Sequence, residues 1–190
     1  MYRQEEWQMK NIIVIGGGLM GNAVAWKLVE QGAKVTLLEQ QGKKYKSGSS
    51  YGVARISRSL GPKNDIFSFV HNRTVKEVKK LVAFLNKEEK GKRHQLDDIY
   101  RTSPVSYLYT NDQYDQVKKL NFKKQRKDYQ EVSGKEAFRK FKVRLKPNQI
   151  LVREFRKCSG TLNPQELIQK FRLAIGLKKG KIRYHQKVIS

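Results

Sequence analysis

Gly16-Gly17-Gly18-Leu19-Met20-Gly21 satisfies the spacing G-x-G-x-x-G, and a carboxylate, Glu39, follows 18 residues after the last glycine. Between a strand and a helix that spacing makes a pyrophosphate cradle. Gly16 permits the tight turn, Gly18 lets the backbone approach the phosphates, and Gly21 lets the helix pack closely on the strand. The helix N-terminus adds unpaired N–H groups and the positive end of its dipole. A glutamate closing the second strand accepts hydrogen bonds from both ribose hydroxyls and would repel the 2′-phosphate of NADP. From these residues FAD and NAD stand as alternatives, because both enter the unit through the same adenosine diphosphate half. Other chemistry is sparse. Cys158 is the only cysteine, so there is no internal disulfide and no all-cysteine metal site, and it is read as a small, partly buried hydrophobe. His71, His94 and His185 lack metal-ligand spacing, and no metal site is expected.

The elements that must position the motif are legible around it. Asn11–Ile15 is a short apolar run ending in glycines, expected as a strand buried on both faces of a parallel sheet. Gly21–Gln31 reads as the helix, with Gly32 where a left-handed residue ends it, and Lys34–Glu39 as the second strand of a right-handed βαβ unit. Residues 42–52 read as loop. From Ile66 to Asn86 the spacing of Val75, Val78, Val82 and Leu85 predicts a long amphipathic helix. Ile99–Thr102 and Val105–Tyr109 read as strands, and Ser133 with Glu136 as a capping box opening a short basic helix. Asn163 as N-cap, Pro164 at the first position and Glu166 at the third start a helix that faces its core with Leu167, Ile168, Phe171, Ala174 and Ile175. Lys181–Ile189 is expected as a strand.

Two segments carry a resemblance to a known family. The first is Ile12–Glu39, where Ala25 and Gly32 fall at further small-residue positions; the second is Ser47–Arg58, which reads S-G-S-S-Y-G-V-A-R-I-S-R. Together they resemble the FAD-dependent oxidoreductases that include D-amino acid oxidase, most closely the monomeric sarcosine oxidase and N-methyltryptophan oxidase group, whose G-S-x-x-G-x-x-R-x-x-R loop lies beside the isoalloxazine ring. The resemblance implies FAD as cofactor, held by Gly16, Gly18, Gly21 and Glu39, with Ser49 contacting it and the backbone of Val188 meeting the adenine. It implies Arg55 near the flavin ring as the catalytic-site arginine, and Arg58 on the substrate carboxylate, a task suited to the bidentate guanidinium fork. The activity implied is oxidation of the C–N bond of a secondary amine or amino acid, with oxygen as electron acceptor. Ser50 and Tyr51 stand where the sarcosine oxidase loop has two histidines, which leaves the substrate open. Cys158-Ser159-Gly160-Thr161-Leu162-Asn163-Pro164 is similar to a G-x-L-x-P stretch of the family.

The fold expected is α/β: a Rossmann-like FAD-binding βαβ unit with an incomplete α+β substrate-domain portion. Residues 1–60 would form the βαβ unit and flavin-contacting loop, 61–155 a helix-and-strand part of the substrate domain, and 156–190 a return to the FAD-binding domain. Family members are about twice as long as these 190 residues, which places the flavin-linking cysteine and the oxygen-activating lysine beyond Ser190. The expectation is a chain incomplete as an enzyme, with a separately encoded C-terminal half as a possible partner.

Composition sets the outer limits. With 38% hydrophobic and 31% charged residues the chain can bury a core, and its apolar runs fall far short of a membrane span. No apolar segment follows the charged first ten residues, so a cytoplasmic protein is expected. Net charge is +24, yet residues 1–40 balance four basic groups against four acidic ones, so the whole excess follows residue 40. Such asymmetry suits either a solvated lysine-rich surface or an anionic partner. Aromatics among cations at Phe122–Tyr129 and Phe138–Phe141 keep a non-catalytic, nucleic-acid-binding Rossmann protein as an alternative, although no RRM, KH or zinc-finger motif accompanies them.

Overall fold

The computed structural model describes residues 10–44, 48–58, 66–119, 129–155 and 159–189, and of 66–69, 71, 72 and 119 only the backbone. In chain order the first elements are β1 (Asn11–Ile15), α1 (Leu19–Glu30), β2 (Lys34–Leu38), β3 (Arg55–Arg58), α2 (Ile66–Glu88) and α3 (Leu96–Ile99). There follow β4 (Tyr100–Thr102), β5 (Val105–Thr110), α4 (Asn111–Lys119), β6 (Tyr129–Val132), α5 (Gly134–Phe141) and β7 (Gln149–Glu154). The last are β8 (Ser159–Leu162), α6 (Pro164–Leu177) and β9 (Lys181–Arg183).

These elements divide into two compact units. The first takes the described residues up to Arg55, Val78–Ile99 and those from Asn163; the second takes Ile56–Glu77 and Tyr100–Leu162, less the residues not described. The expected segment 61–155 is therefore shared between them. Val78, Leu81, Val82 and Leu85 recur at helical spacing as the buried stripe of α2, and Phe84 lies 4.8 Å from the Trp26 ring of α1, which binds this half of the helix to the first unit.

In the first unit β1 pairs parallel with β2, from Asn11 opposite Lys34 to Ile15 opposite Leu38, and β9 adds to the far edge of β2. This is the expected βαβ unit. Helix α6 begins as its residues predict: the Asn163 side chain accepts from the Glu166 N–H at 3.2 Å, Pro164 fills the first turn, and Leu167, Ile168, Phe171, Ala174 and Ile175 are all buried. Two expectations are corrected here. β1 is not buried on both faces: Ile13 and Ile15 are 65% and 66% exposed, whereas the β2 residues Val35 and Leu37 are buried. Alternate β1 residues thus divide between a covered face and an open one. A fully buried isoleucine contributes roughly 1.5–3 kcal/mol, most of which these two forgo within the unit. Nor does a strand run from Lys181 to Ile189. β9 stops at Arg183 because His185 takes a left-handed φ of 59°, and the chain turns so that the His185 and Gln186 N–H groups reach the Gln41 and Glu39 carbonyls.

The second unit contains two antiparallel pairings around β7, in the order β5-β7-β6, and a small sheet in the order β3-β8-β4. Its core gathers Tyr107, Tyr114, Val117, Tyr129 and Val152. The Ser133 hydroxyl accepts from the Glu136 N–H at 3.3 Å, so the expected capping box opens α5. Ile99 closes α3 instead of opening a strand, and the end of the expected loop, Arg55–Arg58, is the strand β3. Periodicity had pointed to no element at α4, β6, β7 or β8. Among the described residues no helix is long and apolar enough to cross a membrane.

Candidate functional site

Where β1 ends, Gly16 turns the chain with φ +97° while its N–H donates to the Leu38 carbonyl at 2.8 Å, so the turn is hung on the end of β2. A positive φ favours glycine at this position, and a Cβ there would meet nothing within 4 Å, leaving room above the turn. Gly21 is required for a different reason: its Cβ would collide with the Gly16 carbonyl oxygen, so the first turn of α1 closes directly on the glycine turn. Gly18 is the N-cap of α1 in an extended conformation and brings no side chain to the helix terminus. The Leu19 N–H instead donates to the Ser50 hydroxyl at 3.1 Å.

Gly17, a position the motif leaves open to any residue, is itself constrained. Its N–H donates to Glu39 Oε2 at 2.7 Å, and a Cβ would stand 2.8 Å from that oxygen. Its carbonyl accepts from Asn22 Nδ2 at 2.5 Å and from Arg172 Nη2 at 3.1 Å. Glu39 is 7% exposed, and its other oxygen accepts from the Gln41 N–H at 2.8 Å. Each carboxylate oxygen thus spends one lone pair on the backbone and retains another of the acceptor sites a carboxylate offers. Asn22 and Arg172 were not singled out from the sequence. A signal for Arg172 existed: a cation four residues after Ile168 and three before Ile175, on an otherwise apolar helix stripe.

The loop from Gly48 to Ala54 is shaped by Arg55. Its guanidinium donates to the Ser49 carbonyl through Nε at 3.2 Å and Nη2 at 2.5 Å, to the Ala54 carbonyl at 2.7 Å and to the Tyr51 carbonyl. Ser49 therefore meets Arg55 through its backbone. Ser50, which stands where the resemblance departs from sarcosine oxidase, ties the loop to two helices: its hydroxyl meets α1, and its carbonyl accepts from Gln165 of α6 at 3.0 Å. Val188 is 48% exposed and lies two residues past Gln186, whose N–H bonds the Glu39 carbonyl at 2.9 Å.

Arg55 and Arg58 belong to different units. Within the second, the exposed Arg58 lies 5.7 Å above the Tyr107 ring, whose hydroxyl donates to Glu154 Oε2 at 2.7 Å. Glu154 is fully buried. Burial, reinforced by the Glu154 carboxylate, raises the Tyr107 phenol well above its ordinary value, and burial raises Tyr109 in the same direction. Of the aromatic and cationic stretches, Phe122–Tyr129 lies outside the described residues except for Tyr129 itself. At the other, Arg144 lies 5.2 Å from the Phe138 ring and Arg153 4.4 Å from Phe141, so the protein's own cations take up these ring faces.

Comparison with known proteins bears on the whole chain. A family profile described as "FAD dependent oxidoreductase" matches residues 11–190. A probable sarcosine oxidase of Arabidopsis thaliana is 38% identical over 64 residues, which cover 34% of this chain and 15% of that protein. Among solved structures, NikD, an unusual amino acid oxidase essential for nikkomycin biosynthesis, superposes with a TM-score of 0.67 at 19% identity, covering 93% of this chain and 44% of NikD. Glycine oxidase of Bacillus cereus gives 0.65 at 23% identity, over 94% of this chain and 47% of that one. The chain thus spans less than half the length of each of these proteins, and the structural likeness is one of fold.

Proposed function

Because the chain belongs to the family of FAD dependent oxidoreductases, we propose that its first unit holds the adenosine diphosphate half of FAD, in a protein that oxidises the C–N bond of a secondary amine or amino acid. FAD dependence of the family decides between the two dinucleotides left open by the glycine spacing. The observation that carries the reading is the Glu39 carboxylate, fixed by the Gly17 and Gln41 N–H groups beside the turn, with acceptor capacity remaining on both oxygens for the ribose hydroxyls. The room above Gly16 and the N-terminus of α1, to which Gly18 brings no side chain, fit the pyrophosphate. Val188, carried past Glu39 by the bonded segment His185–Gln186, is the backbone for the adenine.

When bound, FAD supplies acceptance of a hydride from the carbon beside the amine nitrogen. The residues of this chain do the holding. Arg55 keeps the Ser49–Ala54 loop in shape where the resemblance locates the flavin ring, and Ser49 takes its cofactor contact from that loop. Arg58, exposed and poised over Tyr107, offers its fork to a substrate carboxylate. The chain covers under half the length of these related oxidases, so the oxidation is proposed of the whole protein and not of these residues alone.

Titration of the chain with FAD, followed by quenching of flavin fluorescence, tests the reading. Glu39→Ala should weaken binding by at least about tenfold, since charge-assisted hydrogen bonds to the ribose and the brace on Gly17 are lost together. An unchanged dissociation constant would remove the ribose assignment.

A further inference from the structure

Arg172 lies on the apolar stripe of α6, 8% exposed, yet among the described residues no carboxylate pairs with it. Its contacts are two carbonyls and a ring. Nη2 donates to Gly17 at 3.1 Å, Nη1 donates to Lys43 at 2.8 Å, and the guanidinium lies 5.2 Å from the Tyr184 ring beyond β9. Nε is buried without a partner among the described residues. A buried cation with its Nε unmet and no carboxylate paired to it among the described residues is costly, because desolvation is offset only by neutral dipoles. Such an arrangement calls for a second purpose.

The two carbonyls it grips indicate one. Gly17 is in the turn that faces the pyrophosphate, and Lys43 is four residues past Glu39, in the segment that continues from the ribose carboxylate. The fork spans them, so the fixed distance between Nη1 and Nη2 sets the separation of the two cofactor-facing segments. Asn22 braces the same Gly17 carbonyl from α1 and the Gly18 carbonyl at 2.9 Å, and Glu39 holds the Gly17 N–H. Gly17 is therefore pinned on both sides, its carbonyl by side chains of α1 and α6 and its N–H by the residue just after β2. Its orientation governs where the neighbouring N–H groups of the turn point. Moreover, a low-dielectric cation beneath a phosphate-binding turn gains an anionic partner when the pyrophosphate arrives.

We propose that Arg172 is a positioning residue of the cofactor site: without touching FAD, it holds the glycine turn against the segment after Glu39 and supplies buried positive charge to the pyrophosphate. The inference rests on the FAD reading above.

The test measures FAD affinity and apo-protein stability in the full chain, for wild type, Arg172→Met, Arg172→Lys and Ile175→Val. Arg172→Met, which removes both bonds and the charge, should bind FAD about tenfold or more weakly. Arg172→Lys keeps the charge without the fork, and about a threefold loss is expected. Ile175→Val trims a fully buried side chain of the same helix and should lower the unfolding midpoint while leaving the FAD dissociation constant of the folded protein unchanged. Free ADP, used as competitor, should weaken in parallel with FAD in the arginine variants, because the effect belongs to the diphosphate half. Wild-type affinity in folded Arg172→Met overturns the proposal, and if that variant does not fold, wild-type affinity in Arg172→Lys does so. Equal losses in Ile175→Val and the arginine variants also overturn it, since a general loosening of α6 would then suffice. Should wild type itself fail to bind FAD, the FAD reading falls and this inference with it; binding by wild type with no response at Arg172 sinks the inference alone.

Discussion

At single residues, the site is built by groups that satisfy the backbone before any ligand does. Glu39 holds two N–H groups, Arg55 takes three loop carbonyls, and Asn22 and Arg172 converge on one. Glycines at 16 and 21 were readable because their reasons are local: a positive φ and a close approach of adjacent turns. Gly17 was not, since what excludes a side chain there is Glu39, 22 residues away. The Tyr107–Glu154 pair was invisible for the same cause, its members being 47 residues apart. It makes a prediction whose sign follows from proton linkage. The folded-state phenol is raised above its ordinary value of 10.0, so the folded protein keeps a proton that the unfolded chain gives up. Stability from the pair is complete below that ordinary value and is lost as pH rises beyond it. Tyr107→Phe should lower stability near neutral pH by about 1–3 kcal/mol, because buried Glu154 loses this donor, and should flatten the alkaline decline between about pH 9 and 11. Urea midpoints across that range check both parts, and parallel declines in the two proteins would refute the linkage.

Elements with local start signals formed as their residues predicted. Helix α6 starts at Pro164 after Asn163, and α5 at Gly134 after Ser133, each with the cap side chain on the N–H three residues ahead. Asn163→Ala should cost about 1 kcal/mol, read as a shift of the urea midpoint without change in slope. Ser133→Ala should cost less, because that bond is longer at 3.3 Å and exposed. If Asn163→Ala left the midpoint unmoved, the α6 cap would contribute nothing beyond solvation. A further clasp secures α6 to the end of α2: His94 Nε2 meets Glu89 at 2.8 Å, its Nδ1 meets the Lys170 ammonium at 3.1 Å, and Lys170 bridges Glu166. That arrangement assigns the proton of a neutral His94 to Nε2, the nitrogen facing the carboxylate. Elements missed from the sequence, α4, β6, β7 and β8, lie in the second unit, where strands are held by antiparallel partners distant in sequence and apolar alternation is interrupted by charge.

For the whole molecule, the open face of β1 and the charge excess pull in opposite directions. Ile13 and Ile15 present a hydrophobic strip on an edge strand of the first unit's sheet, a surface prone to association, while +24 of net charge keeps copies apart. Ile13→Thr with Ile15→Thr should reduce binding of an apolar dye and slow aggregation while changing unfolding free energy by less than about 0.5 kcal/mol per site. Wild-type aggregation should quicken as salt screens the charge, and a salt-independent rate would show that repulsion is not the restraint. By itself the sequence determined the βαβ unit, its glycine turn, the acid at the end of β2 and the helix caps, because spacing, turn geometry and bonds to near neighbours are written within a few residues. Tertiary structure alone decided that one face of β1 stays open, that β9 ends where His185 turns left-handed, that α2 is shared between two units, and that Arg172 reaches a turn 155 residues away. Those outcomes depend on which surfaces meet after the chain has folded back on itself, and no local period or motif records them.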